Sequence, residues 1–208
     1  MSRERITISI HQDLLKQIDQ VIDGTKIRNR SHAIESLTSE ALGLDRIKDA
    51  IVMAGGQDVT KNVSAIKDSL LRLKKLGLKE VIIAVGYLAD KIKKELKDGQ
   101  EYGLKIDYLE KGEGTGGALL SLKKALKNTF IVVNIDKKMD LDYRMLTDFH
   151  KSNSKTATVA TDDIKKFSGI YVLEPEIFNY IPKGFSMLEE DVFPKLNKDN
   201  ALTIFPVI

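Results

Sequence analysis

Three short segments of the chain combine small and polar residues in a pattern that could bind a ligand. They are residues 54–56 (AGG), 113–117 (EGTGG) and 134–136 (NID). Glycine lets a ligand approach the backbone closely, and an aspartate at a strand end can hold a metal ion or a ribose hydroxyl. Each segment alone is better explained as a turn, but three at strand ends favour a common ligand site. The candidate ligand-binding residues are Gly55, Gly56, Gly114, Thr115, Gly116, Gly117, Asn134 and Asp136.

A second set of polar residues lies near the N-terminus and could contact DNA. In RITISI, Arg5, Thr7 and Ser9 alternate with three isoleucines, which is typical of a half-buried strand. A ribbon of two such strands fits the major groove, where arginine and hydroxyl groups bond base edges. Asn29, Arg30 and Ser31 then open a helix whose free N–H groups could bind a phosphate. These six residues are the candidate DNA contacts.

The elements that would position those contacts form a unit too small to bury its own core. An apolar helix follows the strand, and a second helix begins near Ser31, which is a good N-cap. Below about 40 residues a lone core is usually insufficient. Pairing the strand with its copy in a second chain would solve this and predicts a homodimer, or a pair of dimers. The alternative is an edge strand and helical hairpin used only for dimerisation.

The rest of the chain alternates apolar strands with helices. This pattern predicts a mostly parallel, Rossmann-like α/β/α sheet with ligands at the carboxyl ends of its strands. The predicted domains are residues 1–45 and 46–208, joined by a short junction that lacks the composition of a flexible linker.

Composition excludes several classes of function. No run of 18 apolar residues or signal-peptide pattern is visible, which predicts a cytoplasmic protein, nucleoid-associated if it binds DNA. The chain has no cysteine, and its three histidines are scattered, so no metal site is predicted. A net charge of +3 is too small to indicate nucleic-acid binding by itself.

Residues 3–43 resemble the ribbon-helix-helix family of DNA-binding regulators. The strand RITISI, the apolar helix after it and the helix start NRSHAI carry the resemblance. It implies an obligate, intertwined dimer that reads double-stranded DNA through Arg5, Thr7 and Ser9. It also implies that the backbone near residues 29–31 clamps a phosphate.

Residues 49–208 resemble the sugar-phosphate nucleotidyltransferases, which make nucleotide-sugars from nucleoside triphosphates. IVMAGG is similar to the family's first strand and turn, and EGTGGALLSLKKAL is similar to its segment along the base and ribose. FIVVNID resembles the strand ending in NGD. The resemblance implies that Asp136 corresponds to the aspartate that binds the catalytic magnesium.

The chain also departs from that family's pattern. QDVTKNVS follows AGG where the family has a glycine- and arginine-rich triphosphate loop, and Ile135 replaces the glycine of NGD. The lysine motifs and the second metal aspartate have no counterpart. Because phosphoryl-type chemistry depends on positioning and charge neutralisation, these losses predict a degenerate domain with no catalytic residues and no activity.

The sequence therefore predicts a DNA-binding transcription regulator. In this hypothesis the α/β domain is a pseudoenzyme that senses a nucleotide or nucleotide-sugar effector, with no other cofactor, or serves only as an oligomerisation platform. The alternative is a minimal, active sugar-phosphate nucleotidyltransferase with a DNA-binding appendage. An antitoxin is disfavoured, because a folded α/β domain is a poor substitute for a disordered toxin-binding tail.

Overall fold

The computed structural model of the chain describes residues 4–25, 27–43, 47–55, 59–86, 89–110, 112–135, 139–161, 167 and 169–207. It forms two compact units, residues 1–46 and residues 47–208. None of the described helices is long and apolar enough to cross a membrane.

The N-terminal unit contains two helices, α1 (Gln12–Gln20) and α2 (Arg30–Ala41). Asn29, and not Ser31, is the N-cap of α2, since its side-chain oxygen accepts a hydrogen bond from the backbone N–H of His32 at 3.0 Å. The difference is physical: the cap needs an extended backbone, which Asn29 has, while Ser31 is already helical.

The predicted strand at residues 5–10 is not formed among the described residues of the single chain. A strand is defined by its ladder of hydrogen bonds, and the predicted partner of this segment is a second copy of the chain. A ribbon-helix-helix fold is therefore not shown. The two helices nevertheless pack together, burying Ile18 and Ala33, while Arg30 donates two hydrogen bonds to the carboxylate of Asp19.

The C-terminal unit is built on one seven-stranded sheet, as predicted for a mostly parallel α/β fold. The strands are Asp49–Ala54 (β1), Glu80–Val85 (β2), Lys105–Leu109 (β3), Phe130–Asn134 (β4), Ala157–Thr161 (β5), Ile170–Leu173 (β6) and Leu202–Pro206 (β7). Their order is β3-β2-β1-β4-β6-β5-β7, and among the described strands only β6 runs antiparallel to its neighbours.

Helices connect the strands and cover the sheet. They are Val59–Leu76 (α3), Ala89–Leu96 (α4), Gly114–Ser121 (α5), Tyr143–Asn153 (α6) and Phe193–Lys198 (α7), with short 3₁₀-helices at Gln100–Tyr102 and Pro175–Asn179. A five-residue π-helix, Leu188–Val192, leads directly into α7. Such helices are rare and frequently occur at functional sites.

Two apolar cores, one on each side of the sheet, explain why its central strands are continuous apolar runs. In β1, Val52 contributes to one core and Ile51 to the other, and both are fully buried. β1 lies between β2 and β4, so the strand order changes direction there. In open α/β sheets, ligands bind beyond the carboxyl ends of the strands at such a point.

Candidate functional site

A cavity of about 290 Å³ opens at the carboxyl ends of β1, β2 and β3. Its walls are mostly apolar side chains, interrupted by glycines and by Thr115. The lining residues are Met53, Gly55, Ala84, Val85, Gly86, Leu109, Gly112, Gly114, Thr115, Ala118 and Met187. The cavity therefore lies where the sheet topology predicts a ligand.

Glycines at the site serve two different purposes. A Cβ added at Gly55 or Gly86 would meet no atom of the described residues within 4 Å, so these two positions leave space for a ligand. A Cβ at Gly114 would lie 2.3 Å from the carbonyl oxygen of Ser186, and one at Gly116 would lie 2.5 Å from the Ser186 hydroxyl. Gly114 and Gly116 thus let another part of the chain, not a ligand, approach closely.

The segment before the π-helix is fastened to the start of α5 by a pair of backbone hydrogen bonds. The N–H of Ser186 donates to the carbonyl of Glu113 at 2.9 Å, and the N–H of Gly116 donates to the carbonyl of Ser186 at 2.8 Å. Ser186 itself is fully buried. This pairing fixes the wall of the cavity to which Thr115 and Met187 belong.

Glu189, on the π-helix, joins three elements through its half-buried carboxylate. Oε2 accepts a hydrogen bond from the Thr115 hydroxyl at 2.9 Å. Oε1 accepts one from the Asn134 side-chain amide at 3.1 Å and one from the Tyr171 hydroxyl at 2.7 Å. The carboxylate thus connects α5, the end of β4, and β6.

Tyr171 is fully buried beneath this carboxylate. Its hydroxyl oxygen also accepts a hydrogen bond from the backbone N–H of Gly169 at 3.1 Å. Burial raises the pKa of Tyr171 well above its usual value, and the charge of Glu189 acts in the same direction. The phenol is therefore protonated at neutral pH and serves as a hydrogen-bond donor to Glu189.

Sequence reasoning missed Glu189, Tyr171 and Met187. Glu189 is one of three consecutive acidic residues, and the sequence gives no indication of which one faces inward. Tyr171 did carry a signal, because a tyrosine inside an apolar strand usually needs a partner for its hydroxyl.

The predicted ligand-binding residues occupy different environments. Gly55, Gly114 and Thr115 line the cavity. Gly116 and Gly117 face residues 184–186, and Asn134 is turned toward Glu189. Gly56 and Asp136 lie outside the described residues.

The predicted DNA contacts lie on the N-terminal unit. Arg5, Thr7 and Ser9 lie exposed on the segment before α1. Asn29 and Arg30 are engaged within the unit as helix cap and ion pair, and Ser31 is in the first turn of α2. Contacts of these residues with DNA remain an untested prediction.

Comparison with known proteins identifies the α/β unit. Residues 57–169, more than half of the chain, match the family described as Nucleotidyl transferase. The chain is also 32% identical to a D-glycero-alpha-D-manno-heptose 1-phosphate guanylyltransferase of Campylobacter jejuni, over 69% of this chain and 77% of that protein. The chain belongs to the nucleotidyl transferase family.

Other relatives agree with this assignment. A UTP–glucose-1-phosphate uridylyltransferase of Synechocystis is 28% identical over 65% of this chain and 47% of its own length. The chain spans about half the length of the first curated relatives that it matches. The crystal structure of HddC from Yersinia pseudotuberculosis complexed with GMP-PN shares the fold, with a TM-score of 0.62 and 20% identity over 77% of this chain and 91% of that one.

These relatives correct the functional prediction. The prediction of a DNA-binding transcription regulator is wrong, because the relatives of the chain are sugar-phosphate nucleotidyltransferases. The prediction of a pseudoenzyme without activity is wrong as well, since these relatives are enzymes and nothing in the described part of the chain marks it as degenerate. The error came from equating missing motifs with missing function, although positioning and charge neutralisation can come from other residues.

Proposed function

We propose that the protein is a sugar-phosphate nucleotidyltransferase. In the proposed reaction a phosphate oxygen of a sugar 1-phosphate attacks the α-phosphorus of a nucleoside triphosphate. The bond between the α- and β-phosphates breaks, pyrophosphate leaves, and a nucleotide-sugar forms. The observation that carries this proposal is the cavity at the carboxyl ends of β1 to β3, in a chain that belongs to the nucleotidyl transferase family.

The lining of the cavity suits the nucleoside part of such a substrate. Its side chains are mostly apolar, among them Met53, Leu109 and Ala118, and they offer apolar contact to a base. Gly55 and Gly86 are exposed and carry no side chain that would occupy the cavity, so they leave room for the ligand. A volume of about 290 Å³ is near the lower end of ligand pockets, roughly 300–1,000 Å³, which suits a nucleoside better than a whole triphosphate.

A metal ion is implied by the resemblance to the family through Asp136. That residue lies outside the described residues, and the described part contains no group of three or more His, Cys, Asp and Glu side chains placed to hold a metal. We therefore assign no step to a metal ion. The part of the reaction that we assign to described residues is binding and orientation of the nucleotide.

The proposal is tested by assaying pyrophosphate release from nucleoside triphosphates, with magnesium and a panel of sugar 1-phosphates. We expect one or a few pairs to react and mass spectrometry to detect the matching nucleotide-sugar. Gly55→Val should raise the KM for the nucleotide by narrowing the cavity without a clash. Met145→Val, at an exposed position on α6, is the control. Absence of turnover with every pair would refute the proposed function.

We also propose that the N-terminal unit pairs with a second copy in a homodimer, as a ribbon-helix-helix unit would. In the segment before α1, Ile6 and Ile8 are 74% and 51% exposed, and Leu14 and Leu42 are exposed by more than half. Ile6 and Ile8 alternate with the polar residues Arg5, Thr7 and Ser9, so a second strand could cover the two isoleucines on one face. Burying them would supply the core that this short unit lacks.

Light scattering on the full chain tests this pairing. We expect a dimer for the wild type and a monomer for Ile6→Asp combined with Ile8→Asp. Thr7→Asp, on the other face of the same segment, is the matched control and should remain dimeric. A monomeric wild type at micromolar concentration would contradict the proposal.

A further inference from the structure

The carboxylate of Glu189 lies behind the wall of the cavity and not in its lining. Thr115 stands between them, because it lines the cavity and donates its hydroxyl hydrogen to Glu189 Oε2. The same hydroxyl oxygen accepts the backbone N–H of Leu188 at 2.9 Å. The hydroxyl of Thr115 is thus fixed in direction by one bond on each side.

The second contact of Glu189 fixes the end of β4. Asn134 is 7% exposed and is the last residue of that strand. Its side-chain amide donates to Glu189 Oε1 at 3.1 Å and also bonds the Tyr171 side chain.

We propose that Glu189 is a positioning residue for nucleotidyl transfer, holding Thr115 at the start of α5 and Asn134 at the end of β4 in one fixed arrangement. This inference rests on the proposed function. The π-helix supports the assignment. Glu189 is its second residue and directly follows Leu188, whose backbone N–H donates to the Thr115 hydroxyl. Tyr171 supports the carboxylate from below with a third hydrogen bond.

The hydrogen bonds to Glu189 allow a test that distinguishes a positioning role from a direct action of its charge on the substrate. The three donors to Glu189 among the described residues are neutral groups, so a neutral acceptor of the same shape can replace its carboxylate. In Glu189→Gln the amide oxygen can keep the bonds from Asn134 and Tyr171. The amide NH₂ can donate to the Thr115 hydroxyl oxygen, which has a second lone pair. A residue whose charge acts directly on substrate would not tolerate this change.

The first experiment compares the steady-state kinetics of Glu189→Gln, Glu189→Asp and Glu189→Ala in the full chain. We expect Gln to keep kcat/KM within a few-fold of wild type. Asp, one methylene shorter, and Ala should lose up to about 10²-fold, the loss typical of a misplacement of about 1 Å. Equal losses in Gln and Ala would overturn the proposal in favour of a direct role for the charge. Full activity in Ala would overturn it too.

The second experiment needs no substrate and separates this inference from the proposed function. Amide hydrogen exchange of the free protein should be faster in Glu189→Ala at Gly116 and Leu188, and unchanged in Glu189→Gln. Glu174→Ala is the matched control, because Glu174 also accepts bonds from neutral side chains but lies beyond the opposite end of β4. It should leave those two amides unaffected.

The outcomes of the two experiments are distinguishable. A wild type without turnover would refute the proposed function, while the exchange measurement would still decide whether Glu189 holds the two segments. Unchanged exchange in Glu189→Ala would overturn the positioning role whatever the kinetics show.

Discussion

Replacing Gly114 with alanine should destabilise the α/β unit through the contact between α5 and residue 186. Gly114 has φ = 77°, and an added Cβ would lie 2.3 Å from the carbonyl oxygen of Ser186. The left-handed backbone costs about 1–2 kcal/mol for a residue with a Cβ, and overpacking against a backbone atom adds about 1–3 kcal/mol. We therefore expect a loss of roughly 2–5 kcal/mol in the free energy of unfolding, or about 5–15 °C in Tm.

Two further glycine substitutions provide the comparison. Gly116→Ala should cost less than Gly114→Ala, because the close atom is the Ser186 hydroxyl, which can rotate, and because alanine favours the helix. Gly55→Ala should leave Tm almost unchanged, since its Cβ would meet no atom of the described residues within 4 Å. Calorimetry of the three variants gives the ranking. If Gly55→Ala is as damaging as Gly114→Ala, the assignment of separate purposes to these glycines is wrong.

Two other predictions concern buried polar groups. Burial lowers the pKa of His150, although its contact with Glu174 acts in the opposite direction. Because an unfolded histidine titrates near pH 6.5, its contribution to stability is present above that pH and is lost as pH falls through the folded pKa. Urea unfolding at about pH 7.5 and 5.5 should show this decline, and His150→Gln should reduce it. Tyr171→Phe leaves the N–H of Gly169 without its acceptor and should cost about 1–3 kcal/mol in urea unfolding, and an unchanged midpoint would contradict this.

The sheet could be predicted from sequence because each strand has a recognisable local sequence pattern. EVIIAV and FIVVN are unbroken apolar runs bounded by polar residues, which is the pattern of a strand buried on both faces. Strand direction is not encoded in such a run, so the antiparallel orientation of β6 could not be predicted. The segment at residues 5–10 shows another limit, because alternation gives a strand's two faces but does not identify its partner.

The candidate site could be predicted only in part, and the reason is sequence separation. The segments that line the cavity carry visible glycine patterns. The contacts of Glu189 join residues that are 74, 55 and 18 positions apart. No local sequence pattern contains such contacts, because they depend on the orientation of Glu189 on the π-helix in the folded chain.

The same separation explains why missing motifs misled the prediction of function. The motif GTGG looks like a place where a ligand meets the backbone, yet Gly114 and Gly116 are needed because Ser186 lies against them. The GTGG motif is therefore explained by the close packing of α5 on residues 184–189 as well as by contact with a ligand. That packing also places Thr115 in the cavity wall and within hydrogen-bond distance of Glu189. The integrity of the site therefore depends on residues that are far along the chain from the position of the missing phosphate-loop motif. The presence of this second set of contacts, and not the count of lost motifs, is the better guide to whether the domain still works as an enzyme.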